Sequence, residues 1–287
     1  MQGVLVLDKP PGMSSAVAVE RVRLALGADR AGHGGTLDPI ATGVLPICLG
    51  AATKLAQFML ADDKAYEAEG VLGVETDTLD RTGRIVAERA AAVSRDALVQ
   101  VLTGFRGEQD QIPPMYSAIK QAGVRLYERA RAGEQVERAP RRIRIDRLEL
   151  LGFEPPRFRI AIACSKGTYV RSLVADIGAA LGAGAHLSEL RRTRSGRFSI
   201  DQAVALEHAS GAPLIPIEQA TDLPSRIVPR GLEAHVQNGV QLPLEALGAE
   251  GLEQFQLVSE AGKLLAVAHP QGGRTVYDRV FRELAAT

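Results

Sequence analysis

The chain has little of what many reaction classes need. Its two cysteines, Cys48 and Cys164, each sit in an apolar stretch, with no CxxC and no histidine at ligand spacing. This argues against a zinc site and reads as two small buried hydrophobes in a reducing cytoplasm. No apolar run approaches the roughly 18–20 residues of a membrane span. The opening MQGVLVLDKPPG has no basic n-region and meets an Asp and a Lys early, so it reads as a first strand and not a signal peptide. Gly50-Ala51-Ala52-Thr53-Lys54 lacks the second glycine of a phosphate-binding loop. Neither a Rossmann fingerprint nor an HExxH occurs, so nothing points to a nucleotide, a redox cofactor or a metal. Net charge is also missing, with 34 Lys and Arg against 34 Asp and Glu.

The charges that are present are unevenly spread. Arg138–Arg197 holds thirteen bases and five acids, a local +8, while Asp62–Asp110 holds eleven acids and six bases, a local −5. A neutral chain of this kind can still offer a basic face to a polyanion. A length of 287 residues fits one large domain and a small one. Four prolines between Pro213 and Pro229 mark a linker, and a boundary is expected near residue 225.

Coarse periodicity predicts a mixed chain. Residues 3–7, 43–50, 66–72, 143–150 and 157–164 read as strands, the last two strictly alternating. Ser14 or Ser15 can cap a helix carrying Val19, Val22 and Leu26 and ended by Gly27. Residues 52–61 and 94–102 also read as helical. A further helix is expected after Gly167-Thr168, with Tyr169, Leu173, Ile177 and Leu181 on one face. Arg191–Arg197 reads as a basic turn and Ser199–His208 as a short capped helix. Residues 107–142 read as a long excursion with Pro113-Pro114 and a short helical piece near Arg125–Ala132. Beyond residue 225, segments 231–240, 255–258 and 264–268 suggest a small all-β domain.

The strongest local feature is His33-Gly34-Gly35-Thr36-Leu37-Asp38-Pro39. Its glycines allow a sharp turn and close approach of a large ligand. Pro39 biases Asp38 toward extended backbone. A carboxylate is thus held on a rigid loop, although Asp-Pro is also a common turn.

These residues, continued by Ala41-Thr42-Gly43-Val44-Leu45, resemble the catalytic motif of the TruB pseudouridine synthases. Six further blocks resemble that family in the same order: Leu7–Ser15, Lys64-Ala65-Tyr66, Gly73–Asp80, Gln111–Ala118, Gly167–Leu173 and Leu190-Arg191-Arg192-Thr193. The C-terminal tail resembles the family's PUA-type RNA-binding domain more weakly. The resemblance implies an α+β fold: a mixed, largely antiparallel sheet flanked by helices over residues 1–225, then an all-β PUA-like domain over 226–287.

The implied reaction turns a uridine of RNA into pseudouridine with no cofactor. It breaks an N-glycosidic bond and rejoins the base to the same sugar through carbon. The resemblance makes Asp38 the catalytic residue, as nucleophile on the uridine or base at the ribose. It makes Arg171 the ion-pair partner that keeps a desolvated carboxylate ionised. Tyr66 would stack on the flipped uracil, with Tyr169 and Leu190 lining the pocket. Read from spacing alone, Tyr169 would be a core residue. His33 would wedge into the RNA fold that the base leaves, repaying part of its unstacking. Lys9 and Pro10 would buttress the pocket. Arg138, Arg141 and Arg142, at the basic end of a clamping insertion over 107–142, and Lys54 would contact phosphate.

The implied partner is the T stem-loop of tRNA, with the uridine at position 55 as target. A cytoplasmic monomer needing no protein partner is expected, because no amphipathic stripe looks spare. Three other readings compete: a guide-RNA-dependent rRNA synthase, a non-catalytic RNA-folding factor, and a small-molecule enzyme such as a P-loop kinase. The short chain without a Lys-rich tail opposes the first. The Asp38, Tyr66 and Arg171 set opposes the second, and the missing phosphate loop opposes the third.

Overall fold

The computed structural model describes residues 1–282 except 118, 119, 122, 127, 128, 130–133 and 135. A ten-stranded sheet forms its frame. Its spatial order is Val204–Ala205, Gly3–Lys9, Thr42–Leu49, Ala185–Ser195, Lys64–Leu72, Arg157–Cys164, Arg141–Glu154 and Gly107–Gln111, with Ala31–His33 and Phe198–Ser199 as short side pairings. Most pairs are antiparallel. The exceptions are Gly3–Lys9 with Val204–Ala205, and Ala185–Ser195 with Thr42–Leu49.

Alternation along these strands builds two surfaces. Leu5, Leu7, Leu45, Ile47, Ile160, Ile162 and Leu190 face one side and pack with Val22, Leu98, Leu173 and Ile177 of the flanking helices. On the reverse side Val4, Val6, Val44 and Cys48 pack with Val258, Leu264, Val267 and Phe281. Val258, Leu264 and Val267 belong to a second sheet, ordered Ser225–Val228, Phe255–Ser259, Leu264–Gln271 and Arg274–Val280, and Phe281 directly follows its last strand. One apolar layer therefore joins the back of the Thr42–Leu49 strand to the C-terminal sheet.

Several expectations need correction. Arg191–Arg197 is a turn only at Gly196-Arg197: Ala185–Ser195 is a central strand, paired on both sides. Its charges hid it, yet Leu187, Leu190 and Arg192 are all buried. Residues 107–111 belong to the sheet, because Gly107–Gln111 pairs with Arg141–Ile145 and closes the base of the excursion. The helical piece near Arg125–Ala132 falls largely outside the described residues. The Ser199–His208 helix is replaced by two short 3-10 turns, although Ser199 and Gln202 do form a capping box. Residues 231–240 form a helix, Glu233–Gln237, where a strand was expected, and the flanking strands Ser225–Val228 and Arg274–Val280 went unread.

Gly43 is the point of closest strand approach. It sits between Lys9 on one neighbour and Arg192 on the other. Its φ is 97°, and a Cβ there would collide with the Arg192 carbonyl. Gly43→Ala should therefore cost at least ~1–3 kcal/mol from backbone strain alone. At roughly 2–4 °C per kcal/mol for a chain of this size, the thermal midpoint should fall by several degrees. A melt followed by circular dichroism checks this, and an unchanged midpoint would contradict the close approach.

Candidate active site

The Gly34–Ile40 loop leaves the Ala31–His33 strand and re-enters the sheet at Thr42. Backbone and side chains hold it from below. The Ser15 hydroxyl accepts from the Leu37 N–H at 2.8 Å and donates to the Leu37 carbonyl at 3.0 Å. Gly12 N–H donates to the Pro39 carbonyl at 2.8 Å, and Ala41 N–H to that of Asp38 at 3.0 Å. Ser14, not Ser15, caps the first helix, which leaves Ser15 for this clamp. Asp38 is thereby fixed between two pinned residues.

Arg171 meets Asp38 through two nitrogens, Nε to Oδ2 at 2.8 Å and Nη2 to Oδ1 at 3.2 Å. Nη2 donates to Oδ1, while Nε stands at ion-pair distance from Oδ2 without the alignment of a hydrogen bond, so the carboxylate is held at two points. The Arg171 side chain is 5% exposed and that of Asp38 34%, so the cation is buried and the carboxylate partly exposed. Arg171 also donates to the carbonyls of Thr78 at 3.1 Å and Tyr116 at 2.8 Å. Its Nη1 lies 3.8 Å from Asp80 Oδ2. Asp80 Oδ1 in turn accepts from Thr78 Oγ1, Thr82 N and Thr82 Oγ1 at 2.9, 2.9 and 2.6 Å. Leu79, held at φ 61°, lets the Thr78–Asp80 turn aim both groups at the guanidinium. Burial pushes the Asp38 carboxyl above the usual range, Arg171 pulls it back, and Asp80 adds to the push.

Other expected residues gather here. Lys9 is fully buried, and its Nζ donates to the carbonyls of Pro10 and Met13, both at 2.9 Å. Desolvation lowers it to about 8, against the pull of Asp38. Tyr66 is pushed up to about 12 by burial and lies in the field of Asp38 and Arg192. In the sheet Arg192 stands opposite Tyr66, and Leu190 opposite Ala68 two residues along, so Leu190, Arg192 and Tyr66 share one face. Tyr169 lies at the N-cap of the Val170–Ala180 helix and not on its apolar stripe. Gln111 fixes its backbone from both sides, accepting from the N–H at 2.8 Å and donating to the carbonyl at 3.1 Å. Burial raises the Tyr169 hydroxyl. Burial and then Arg192 lower the pKa of His33, whose Nδ1 accepts the Gly35 N–H at 3.4 Å.

The basic residues are placed differently from one another. Lys54 Nζ donates to the Val280 carbonyl at 2.8 Å and lies 5.3 Å above the Phe281 ring, tied to the C-terminal sheet. Arg138 donates to the Pro113 carbonyl at 2.9 Å, and Arg141 lies in the field of Tyr169 at the cleft. Arg142 pairs with Glu108 at 3.0 Å. Arg144, Arg147, Arg157 and Arg159 are likewise paired, with Asp63 and Asp146, Glu149, Glu69 and Glu67. Much of the local positive charge is thus matched by acids on the same strand, on adjacent strands or beside them. Ser15, Asp80, Gln111 and Arg192 were given no role at the site from sequence, although all four lie inside the blocks that carried the resemblance. Among the described residues no three His, Cys, Asp or Glu side chains gather as a metal-ligand set, and no helix is long and apolar enough to cross a membrane.

The arrangement places aromatic side chains near a fixed carboxylate whose ionised form Arg171 favours against the cost of burial. Comparison with known proteins points the same way. The TruB family pseudouridylate synthase N-terminal domain matches residues 23–170, and the tRNA pseudouridylate synthase B C-terminal domain matches residues 171–230. A tRNA pseudouridine synthase B of Pseudomonas aeruginosa (strain UCBPP-PA14) is 54% identical over 218 residues, covering 74% of this chain and 72% of that protein. One from Azoarcus sp. (strain BH72) is 53% identical over 213 residues, covering 74% and 71%. Among solved structures, a Cbf5-Nop10-Gar1 complex superposes with a TM-score of 0.77 at 30% identity, covering 98% of this chain and 84% of that one.

Proposed function

The chain belongs to the TruB family of pseudouridylate synthases, and from that premise we propose how it isomerises uridine to pseudouridine in tRNA. The observation that carries the reading is the Asp38–Arg171 pair, a buried cation in two-point contact with a partly exposed carboxylate. The target uridine leaves its stack and enters between Tyr66, Tyr169 and Leu190. Aromatic faces replace the lost stacking, at roughly 1–3 kcal/mol per base. His33, at the edge of the loop, fills the space vacated in the RNA, and Lys9 and Pro10 support the pocket from below. The N1–C1′ bond then breaks, the uracil turns, a C5–C1′ bond forms, the C5 hydrogen leaves as a solvent proton, and N1 takes up a proton in exchange. Asp38 acts either on the uridine directly or as a base at the ribose, and both routes need it ionised. Arg171 favours that state.

The finer reading is a stand-alone cytoplasmic monomer, divided near residue 225 into a catalytic and an RNA-binding domain, acting on the T-loop uridine at position 55. Arg138, Arg141 and Arg142, with Lys54, would meet phosphates of the stem. Identity above half with proteins named as tRNA enzymes supports this over the guide-dependent alternative, which the more distant 30% likeness to the Cbf5 complex suggests. The test is a single-turnover assay on a tRNA transcript tritiated at uridine C5, with no guide RNA and no other protein. Tritium release of one equivalent, lost when the T-loop uridine is replaced by cytidine, is expected. Tight binding without release would favour the guide-dependent or binding-only readings.

A further inference from the structure

Arg192 is among the largest fully buried side chains, at 1% exposure. No ion pair joins it to a carboxylate among the described residues. The ionisable groups that feel its charge are Lys9, His33, Lys64 and Tyr66. Burying a cation without a counter-ion is costly unless its hydrogen bonds are met. Here they are met by carbonyls. Nε donates to Val44 at 2.7 Å, Nη1 to Thr36 at 3.3 Å and Nη2 to Gly35 at 3.0 Å. Two of these acceptors immediately precede Leu37 and Asp38, and the third lies where the chain re-enters the sheet. One planar group therefore ties both ends of the Asp38 loop. Tyr66 is the cross-strand partner of Arg192, and its hydroxyl lies in the field of the same guanidinium. Gly35, with φ 150°, leaves room for it, since a Cβ there would come within 3.4 Å of Nη1.

We propose that Arg192 is a positioning residue for the isomerisation, holding the Asp38 loop by its rigid fork in register with Tyr66, its partner across the strand pair. This rests on the reading given under Proposed function. The guanidinium fork is planar and pre-organised, so it holds several acceptors at fixed separations, which an ammonium cannot do. Displacements near 1 Å at a reacting group can cost on the order of 100-fold in rate.

The test compares Arg192→Met and Arg192→Lys with wild type in single-turnover tritium release, with tRNA affinity by filter binding and a double variant carrying Tyr66→Phe. The Met variant should turn over about 100-fold more slowly or worse, with affinity within about 3-fold, and Lys should restore little because one ammonium cannot span the acceptors. Combined with Tyr66→Phe, the loss should be well short of the product of the single losses, since the two side chains act as one unit. Single losses that multiply, or a Met variant within about 3-fold of wild type, would overturn the proposal. Should the Met variant not fold, Arg192→Lys carries the test. It should show faster hydrogen exchange at the Leu37 and Asp38 amides together with slower turnover, and native exchange with native turnover would overturn it. Wild-type release in the same series keeps the two readings apart. If wild type releases nothing, the function falls, whereas release by wild type with fast Arg192→Met rejects the role of Arg192 alone.

Discussion

Asp38→Asn is expected to abolish tritium release from C5-labelled tRNA while leaving tRNA affinity within a few-fold of wild type. The amide keeps the shape of the carboxylate and can still accept from Arg171, so the loop should stay in place. Arg171 also keeps its bonds to Thr78 and Tyr116 and its proximity to Asp80. What is lost is the anion that either chemical route requires. Losses on removing a nucleophile or base of this kind run to roughly 10⁴–10⁶-fold. The same carboxylate sets a pH dependence. Its pKa is raised by burial, with Arg171 opposing. The ionised form is the reactive one, so the wild-type single-turnover rate should fall as pH drops through a pKa above the ordinary 3.8 of aspartate. A pH–rate profile on tRNA checks this, and an acid limb at or below that value would contradict the desolvated site.

Arg171→Met should damage both activity and fold. It leaves the Thr78 and Tyr116 carbonyls without their donor, and Asp38 and Asp80 without the cation between them. Breaking a buried pair by removing one partner costs about 3–5 kcal/mol. The Asp38 side chain is about one-third exposed, so the lower end, ~3 kcal/mol, is the better expectation. That corresponds to a thermal midpoint lower by roughly 6–12 °C. Turnover at neutral pH should fall on the order of 100-fold or more, and the acid limb should move upward because the opposing charge is gone. Arg171→Lys restores a cation but not the two-point contact. It should recover stability more than rate. Equal loss in the Met and Lys variants would show that fork geometry, not charge, dominates.

The sequence by itself determined the elements whose signals are local. Val4–Leu7 reads as a strand because it is continuously apolar, and Ser14 and Ser94 cap helices because a hydroxyl satisfies a free N–H there. The Gly-flanked Asp38 and the ordered blocks around it carried the family and the reaction. What only the tertiary structure decided depends on residues far apart in the chain. Arg192 sits in a run of arginines that reads as a solvated turn, and only its pairing with Thr42–Leu49 and Lys64–Leu72 takes it into the interior. Tyr169 shares a helical spacing with Leu173, but the helix begins one residue later, which frees it for the cleft. The +8 segment reads as a basic face until cross-strand neighbours place Glu67, Glu69, Asp63 and Glu108 against it. Charge and burial are properties of the assembled sheet. A residue's own neighbours in the chain fix its propensity, whereas its partners across strands fix whether its charge is matched, spent on backbone carbonyls, or left facing the substrate.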